Sequence, residues 1–152
     1  MIRRALGLAA AFSLAALAAG AAQAAPACDG CGPYEASARV YFSPNGGAQD
    51  ALVREIGGAQ KSVRVLAYHF SNKAVARALV EAQERGVDVK VVVDAETGRK
   101  SKSLVPWIVK RGVPVWLDGS HGSAHNKVMI IDKRVVVTGS YNFNEHAETV
   151  NA

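Results

Sequence analysis

The sequence of 152 residues predicts an α/β fold, in which a mixed central β-sheet is flanked by helices. Two observations support this prediction. Short apolar runs alternate along the chain with stretches whose apolar residues recur at helical spacing, which is typical of strands and helices built around one sheet. Near the carboxyl end, two apolar runs are separated by the polar pair Asp132-Lys133, which indicates adjacent strands joined by a tight turn.

The first 24 residues have the composition of an export signal. Arg3 and Arg4 precede an apolar run rich in Ala and Leu, and 22–24 reads Ala-Gln-Ala, the small-x-small pattern of a cleavage site. We predict a signal peptide, 1–24, that is cleaved after Ala24 and directs the chain to the periplasm or outside the cell. An uncleaved membrane anchor is the alternative, which the shortness of the run disfavours. Cleavage leaves 16 of 18 Lys+Arg against 13 Asp+Glu, so the net charge falls from +5 to +3.

Residues 25–38 are rich in Ala, Pro, Gly and Cys and show no periodic pattern, which predicts an irregular arm. Cys28 and Cys31 form a C-x-x-C pair, and in an oxidising compartment we expect a small local disulfide between them. A metal site would need further ligands at a suitable spacing. A redox motif would need a helix after Cys31, which the pair at 32–33, Gly-Pro, disfavours.

The middle of the chain supplies the alternating elements. Helical spacing of Leu52 and Ile56, and of the apolar residues between Lys73 and the glycine at 86, predicts two amphipathic helices. The apolar run before Asp94 is long enough for a strand buried on both faces. The predicted strands are 39–42, 63–68, 87–94 and 113–117, and the predicted helices are 48–56, 73–85 and 103–111.

The stretch 125–142 is where the sequence predicts chemistry. Residues two apart on a strand share a face, so His125 and Lys127 should project side by side at the start of a strand. An imidazole and an ammonium aimed at one point suit a phosphate oxyanion. Ser140 and Asn142 follow the partner strand and could add a hydroxyl and an amide. These residues predict a small anion pocket with one nucleophile.

The same residues resemble a known family. His125, Lys127 and Asp132 have the spacing H-x-K-x4-D, and 139–142 continues it as G-S-x-N. Together they resemble the signature of the phospholipase D superfamily. Stretches 41–44, 63–70 and 86–91 are similar to the small bacterial endonucleases of that superfamily, the Nuc-like subgroup. The resemblance covers 39–152, which we therefore expect to form a phospholipase D-like catalytic domain.

The resemblance implies a mechanism. His125 attacks phosphorus and forms a covalent phosphohistidine, while Lys127 and Asn142 hold the phosphate oxygens with support from Ser140. Asp132 belongs to the catalytic signature, but as a structural member rather than a proton carrier. The family takes the leaving-group proton from the His of a second signature; this chain contains one signature, which implies a homodimer with a second His125 as general acid. No metal or cofactor is implied.

Relatives continue beyond the point at which this sequence stops. The resemblance implies that an acidic residue orienting the nucleophilic histidine, followed by a strand and a helix, lies after Ala152. The expected fold is therefore a phospholipase D-like sheet whose last strand and helix are truncated.

Other polar residues have alternative interpretations. We expect His121 to lie in a loop and His69 to line the rim of the site, and we assign no partner to His146. The basic segment 99–102, which contains Arg99, Lys100 and Lys102, could follow a phosphate backbone or be solvated. Asp94 and Glu96 could bind magnesium, but no third acidic residue is near in sequence.

The sequence therefore predicts an exported, metal-independent phosphodiesterase that acts as a DNA endonuclease with little sequence preference. RNA remains open as a substrate. One alternative is a phospholipase D-type lipid hydrolase, which should present an apolar interfacial surface that the sequence does not reveal. Another is a nucleic-acid-binding module without catalysis.

Overall fold

The computed structural model describes residues 36–150. The predicted signal peptide and the Cys28–Cys31 pair lie outside the described residues. The chain divides into two units, Met1–Ala38 and Arg39–Ala152, and the described helices and strands belong to the second. In the described range, no helix is both long and apolar enough to cross a bilayer.

Five strands form one mixed sheet in the order β3-β2-β1-β4-β5. β1 is parallel to β2, β2 is parallel to β3, and β4 is antiparallel to both β1 and β5. The strands are β1 Ser62–Ala67, β2 Asp88–Asp94, β3 Val115–Asp118, β4 Lys127–Ile131 and β5 Val135–Thr138. The helices are α1 Ala48–Gly57, α2 Lys73–Glu84, α3 Ala95–Gly98, α4 Val105–Val109 and α5 Glu145–Thr149. The predicted fold class, a mixed sheet with flanking helices, is confirmed.

Helix α2 shows how local sequence sets these elements. The side chain of Asn72 accepts a hydrogen bond from the backbone N–H of Val75 at 3.0 Å, which satisfies one of the free donors at the helix start. The apolar stripe of the helix is buried, with Val75 and Leu79 fully inaccessible. Gly86 follows the helix with φ of 89°, a left-handed conformation that glycine adopts without strain. The predicted helix is therefore bounded by its cap and its glycine.

The core lies between one face of the sheet and helices α1, α2 and α4. Apolar residues that alternate along the strands supply the sheet side of this core. The fully buried sheet residues are Val63, Val65, Val89, Val91, Val93 and Met129. They pack with Leu52, Ile56, Val75, Leu79, Val105 and Ile108 of the helices.

The opposite face of the sheet is exposed in the described part of the chain. Leu66, Trp116, Ile130 and Val136 lie on this face, and each exposes between 39% and 64% of its surface. β2 alternates between buried and exposed residues rather than being buried on both faces. For the described residues, the prediction of a doubly buried strand is therefore wrong, because Val92 lies on the exposed face but belongs to the same apolar run as the buried Val91 and Val93.

Two boundary predictions are also wrong. Residues 39–42 form no strand: Phe42 makes only isolated bridges to Gly46 and Gly47, because Asn45 and Gly47 adopt positive φ values that fold the segment back on itself. The third predicted helix is shorter than 103–111, since Pro106 occupies the first turn of α4 and fixes its start.

Candidate active site

The candidate site forms where β1 ends and β4 begins. These strands are antiparallel, and their register pairs Ala67 with Lys127. Tyr68 therefore follows β1 at the point where His125 precedes β4. The backbone N–H of Tyr68 donates to the carbonyl of Asn126 at 2.8 Å, which fixes the two loops against each other.

His125 and Lys127 are brought together. Lys127 Nζ lies 3.1 Å from Nδ1 and 3.4 Å from Nε2 of His125, and it donates to the His125 carbonyl at 3.2 Å. Lys127 is buried, with 8% of its surface accessible, whereas His125 is exposed. The imidazole lies just before the strand instead of within it. The pair therefore offers a solvent-accessible nucleophile beside a fixed positive charge.

Tyr68 packs against both members of this pair. Its ring centroid is 4.2 Å from that of His125, and Lys127 Nζ lies 5.3 Å from the Tyr68 ring centroid. An aromatic face attracts a cation and so contributes to holding the ammonium in place. Burial lowers the pKa of Lys127 from its usual value. Local sequence patterns do not point to Tyr68, because its contact with His125 joins residues that are 57 apart in the chain.

His69 extends the site beyond Tyr68, and it is half-buried. The two rings meet edge to face with centroids 4.4 Å apart. Burial lowers the pKa of His69, and the positive charges of Lys100, Lys127 and His125 lower it further, while Asp94 opposes them. Its position next to Tyr68 places His69 at the rim of the candidate site.

The Asp94 carboxylate, which sequence analysis indicates only as a candidate magnesium ligand, contacts the backbone next to the site. Its buried carboxylate accepts hydrogen bonds from the backbone N–H groups of Thr97 at 2.9 Å and Ala124 at 3.0 Å. Ala124 directly precedes His125, and Thr97 donates its hydroxyl to the carbonyl of Tyr68. The backbone donors lower the pKa of Asp94. One carboxylate thus contacts both sides of the site. In the sequence, the D-x-x-T spacing of Asp94 and Thr97 indicates a helix N-cap and was the only local sign of these contacts.

The carboxylates do not form a metal site in the described range. Glu96 is exposed and pairs with Lys100 at 3.0 Å, while Asp94 is engaged by backbone donors. Within residues 36–150, no cluster of three His, Cys, Asp or Glu side chains could hold a metal ion.

The loop 139–142 begins beside Lys127. Val128 pairs with Thr138, so extending the antiparallel register by one residue places Lys127 opposite Gly139. Ser140 is exposed. The Oδ1 atom of Asn142 is buried and has no hydrogen-bond partner among the described residues, which costs about 1–3 kcal/mol. In the described part of the chain, neither Ser140 nor Asn142 hydrogen-bonds to His125 or Lys127 through its side chain. The structure therefore brings the two parts of the predicted anion pocket to the same edge of the sheet, but no hydrogen bond connects them.

Residues on both sides of Asn142 are anchored to the core. The carbonyl of buried Phe143 accepts hydrogen bonds from the backbone N–H groups of Ser71 and Asn72, both at 2.9 Å. The Tyr141 hydroxyl donates to Glu148 at 3.0 Å, and burial, followed by this carboxylate, raises the pKa of Tyr141. Asn142 is therefore held in place by its neighbours.

Comparison with known proteins places this geometry in a family. The sequence profile of the family described as cardiolipin synthase, PLD-like domain, matches residues 52–152. The chain belongs to the phospholipase D superfamily. It is 37% identical over 111 residues to a protein named phospholipase D from Rickettsia bellii, covering 73% of this chain and 55% of that protein. It is 34% identical over 100 residues to the mitochondrial cardiolipin hydrolase of Homo sapiens, covering 66% and 40%.

Two solved structures of the superfamily share the fold. Nuc, a phospholipase D family member from Salmonella typhimurium, superposes with a TM-score of 0.71 at 38% identity, covering 74% of this chain and 76% of that one. NucT from Helicobacter pylori gives a TM-score of 0.62 at 28% identity, covering 67% and 70%. The chain spans about half the length of the Rickettsia relative that it matches. The expected membership of the superfamily, and of its Nuc-like subgroup, is confirmed.

The aspartate of the superfamily signature lies at the other end of β4. The Asp132 carboxylate accepts three backbone N–H groups, those of Gln60 at 2.9 Å, Lys61 at 2.7 Å and Ser62 at 2.8 Å. These hydrogen bonds lower the pKa of Asp132. Asp132 and Lys133 have φ of 53° and 57°, as a type I′ turn requires. The Asp132 carboxylate is therefore engaged by the backbone at the opposite end of β4 from His125 and Lys127.

The other histidines lie apart from the signature pair. His121 is exposed in a loop, with Nδ1 2.9 Å from the Asp118 carboxylate, and Ser120 and His121 lower the pKa of Asp118 to about 2. Asp118 and His121, together with Glu96 and Arg99, line an open cleft of about 420 Å³. His146 is exposed in α5.

Proposed function

We propose that this chain is a metal-independent phosphodiesterase, acting as a DNA endonuclease with little sequence preference through a phosphohistidine at His125. The observation that carries this proposal is the exposed imidazole of His125 in contact with the buried ammonium of Lys127. Superfamily members are phosphodiesterases, which supports the reaction class. The buried charge supplies the electrostatic stabilisation that a phosphoryl transition state requires.

The chemistry follows from these groups. An unprotonated ring nitrogen of His125 attacks phosphorus, a P–N bond forms, and the P–O bond to the leaving group breaks. Lys127 binds the non-bridging oxygens on which charge accumulates. The leaving alkoxide takes a proton from an imidazolium. The neutral imidazole that results then accepts a proton from the water that cleaves the P–N bond. We assign this second imidazole to His125 of another copy of the chain, in a homodimer.

Several features support nucleic acid as the substrate. After the proposed cleavage the chain carries a net charge of +3, and Arg99, Lys100 and Lys102 lie in one exposed segment. His125 lies on an open surface, where a polymer can reach it. Nuc, the phospholipase D family member from Salmonella typhimurium, is 38% identical to this chain over the aligned region. Export to the periplasm or cell exterior belongs to the same proposal, and N-terminal sequencing of the exported protein tests cleavage after Ala24.

A lipid phosphodiester is the second candidate, and one observation favours it. Val40 and Phe42 expose 74% and 73% of their surfaces and flank Tyr41, which is 40% exposed. The sequence alone does not reveal this exposed apolar segment. An exposed apolar tip of this kind could enter a lipid surface. Relatives named phospholipase D and mitochondrial cardiolipin hydrolase are consistent with this candidate.

The test is hydrolysis by the purified mature chain in excess EDTA. The substrates are plasmid DNA, bis(p-nitrophenyl) phosphate and cardiolipin vesicles, and the variants are His125→Ala and, as a control at an exposed site in α5, His146→Ala. We expect cleavage of plasmid and chromogenic diester by the parent and the control, and a loss of more than about 10³-fold in His125→Ala. An acid-labile phosphoryl group on His125 should be trapped by rapid denaturation.

Three results would contradict the proposal. A folded parent that cleaves neither diester would overturn the phosphodiesterase. Turnover restricted to vesicles and lost in Phe42→Ser would establish the lipid candidate instead. Full activity of a protein that sediments as a monomer would exclude the shared site between two copies.

A further inference from the structure

A second imidazole, that of His69, adjoins the His125–Lys127 pair. His69 packs its ring against the Tyr68 ring at 4.4 Å, and Tyr68 packs against His125 at 4.2 Å. The centroids of the two imidazoles therefore lie at most 8.6 Å apart, the sum of those distances. His69 and His125 thus belong to one surface, with the Tyr68 ring in contact with both.

The ring nitrogens of His69 have no hydrogen bond among the described residues, although the side chain is half-buried. A structural histidine in a protein interior ordinarily has a hydrogen-bond partner, since leaving a polar nitrogen unpaired is costly. An imidazole that is partly exposed and unpaired in the described range remains available to donate to a bound anion.

Hydrogen bonds link Lys100 to the segment that carries His69. The backbone N–H of Lys100 donates to the carbonyl of Thr97 at 3.2 Å, and the Thr97 hydroxyl donates to the carbonyl of Tyr68, the residue before His69. Among the charges that lower the pKa of His69, that of Lys100 ranks ahead of those of Lys127 and His125. Lys100 belongs to the basic segment 99–102, and its ammonium is about half exposed. In this structure the ammonium pairs with Glu96 at 3.0 Å, an exposed interaction of small net energy.

We propose that His69 and Lys100 form a second phosphate subsite, which binds the phosphate next to the scissile one in a nucleic acid strand. This inference rests on the proposed function for the identity of the scissile site. An imidazole N–H and an ammonium are both anion donors, and a polynucleotide presents a further phosphate one nucleotide away. Glu96 competes with that phosphate for Lys100, so substrate binding exchanges one anion for another on the same ammonium.

The experiment measures binding separately from turnover. The affinities of thymidine 3′,5′-bisphosphate and of the 3′- and 5′-monophosphates are determined by calorimetry for the mature chain. We expect the bisphosphate to bind about tenfold more tightly than either monophosphate. His69→Gln and Lys100→Met should each abolish most of this preference while leaving monophosphate affinity unchanged. Lys110→Met, an exposed lysine at the end of α4, is the matched control and should retain it.

Glu96→Gln gives a prediction that a purely structural role would not make. Removing the competing carboxylate should increase the bisphosphate affinity several-fold with no effect on the monophosphates. For single-stranded DNA, Lys100→Met should also make the plot of log affinity against log salt less steep, by the amount expected for the loss of about one phosphate contact. Both variants change exposed side chains, so loss of folding does not confuse the result.

The outcomes separate this inference from the proposed function. Equal affinity of the parent for mono- and bisphosphate, or a preference that survives in both His69→Gln and Lys100→Met, overturns the subsite. Hydrolysis of bis(p-nitrophenyl) phosphate, which has a single phosphate, should be unchanged in the Lys110→Met control. If the parent fails to hydrolyse that diester but keeps a His69-dependent bisphosphate preference, the phosphodiesterase is wrong and the subsite stands.

Discussion

At one end of β4, Lys127 is buried beside an exposed imidazole and a tyrosine ring; at the other end, Asp132 is surrounded by three backbone N–H donors. Both residues belong to one signature and are separated by a single short strand. The ammonium contacts the His125 ring, the His125 carbonyl and the Tyr68 ring, none of which is an anion. Under the proposed function, a substrate phosphate supplies the missing negative charge. The carboxylate already has three amide partners. Within a single motif, Lys127 is therefore expected to act in the reaction, at the chemical end of β4, and Asp132 to stabilise the fold, at the architectural end.

Replacing the charge at the chemical end should have the largest effect. In Lys127→Met we expect kcat/KM for bis(p-nitrophenyl) phosphate to fall by about 10²–10³-fold, because a fixed positive charge is lost from the transition state. The thermal midpoint should not fall, because burial disfavours the ammonium and Met fills a similar volume. Lys133→Met, in the turn at the other end of β4, serves as the control. Comparable loss in both variants would remove the distinction between the two ends.

An intermediate effect is expected for Asp94, which supports the chemical end without touching substrate. Asp94→Asn offers an amide where Thr97 and Ala124 donate, so the loop that carries His125 should loosen. We expect kcat to fall about tenfold with little change in KM, since small misplacement of a nucleophile is costly. Steady-state kinetics of the folded variant test this. An unchanged kcat, or a loss confined to KM, contradicts the positioning role.

At the architectural end, the expected change is in stability. Asp132→Ala removes the acceptor for Gln60, Lys61 and Ser62 and should lower the thermal midpoint by several degrees. At temperatures where the variant is folded, its kcat should stay within about twofold of the parent. Calorimetry and kinetics on the same preparation test both statements. A large loss of kcat without a change in stability would place Asp132 in the chemistry after all.

The smallest expected effect is the pH dependence that Asp132 confers. Its pKa is lower in the folded chain than the ordinary value, so its contribution to stability is present above about pH 4. That contribution is lost as pH falls through the lowered folded pKa. The difference in urea midpoint between the parent and Asp132→Asn should therefore shrink steadily below about pH 4. A constant difference down to pH 2 would show that the carboxylate charge is irrelevant to the fold.

Periodicity predicted the parts of the site that are local in sequence. The spacing of His125 and Lys127, the turn at Asp132-Lys133 and the alternation of strands with helices all follow from neighbours along the chain. Strand order does not, because β1 lies between β2 and β4 through pairings that join distant segments. Tyr68, Asp94 and Thr97 reach the site only through this order, which is why their roles could not be predicted.

The exposure of individual side chains could not be predicted from the sequence either. The Val run of β2 and the segment around Phe42 have strand-like composition, yet one lies on a half-exposed sheet and the other forms no strand. Asn142 was identified from its motif, but its buried and unpaired oxygen emerges only from the packing of Tyr141 and Phe143 around it.

The turn at Asp132-Lys133 has a consequence for how the site tolerates change in length. The hairpin register, from Ile131 with Val135 to Val128 with Thr138, is set where the turn closes, and it alone determines that Gly139 comes opposite Lys127. A single residue inserted in the turn would shift every later pair and exchange the faces of β5. The loop with Ser140 and Asn142 would then meet a different residue of β4. The number of residues between Asp132 and Gly139 thus determines which residues face each other at the far end of the strand, where the candidate site lies.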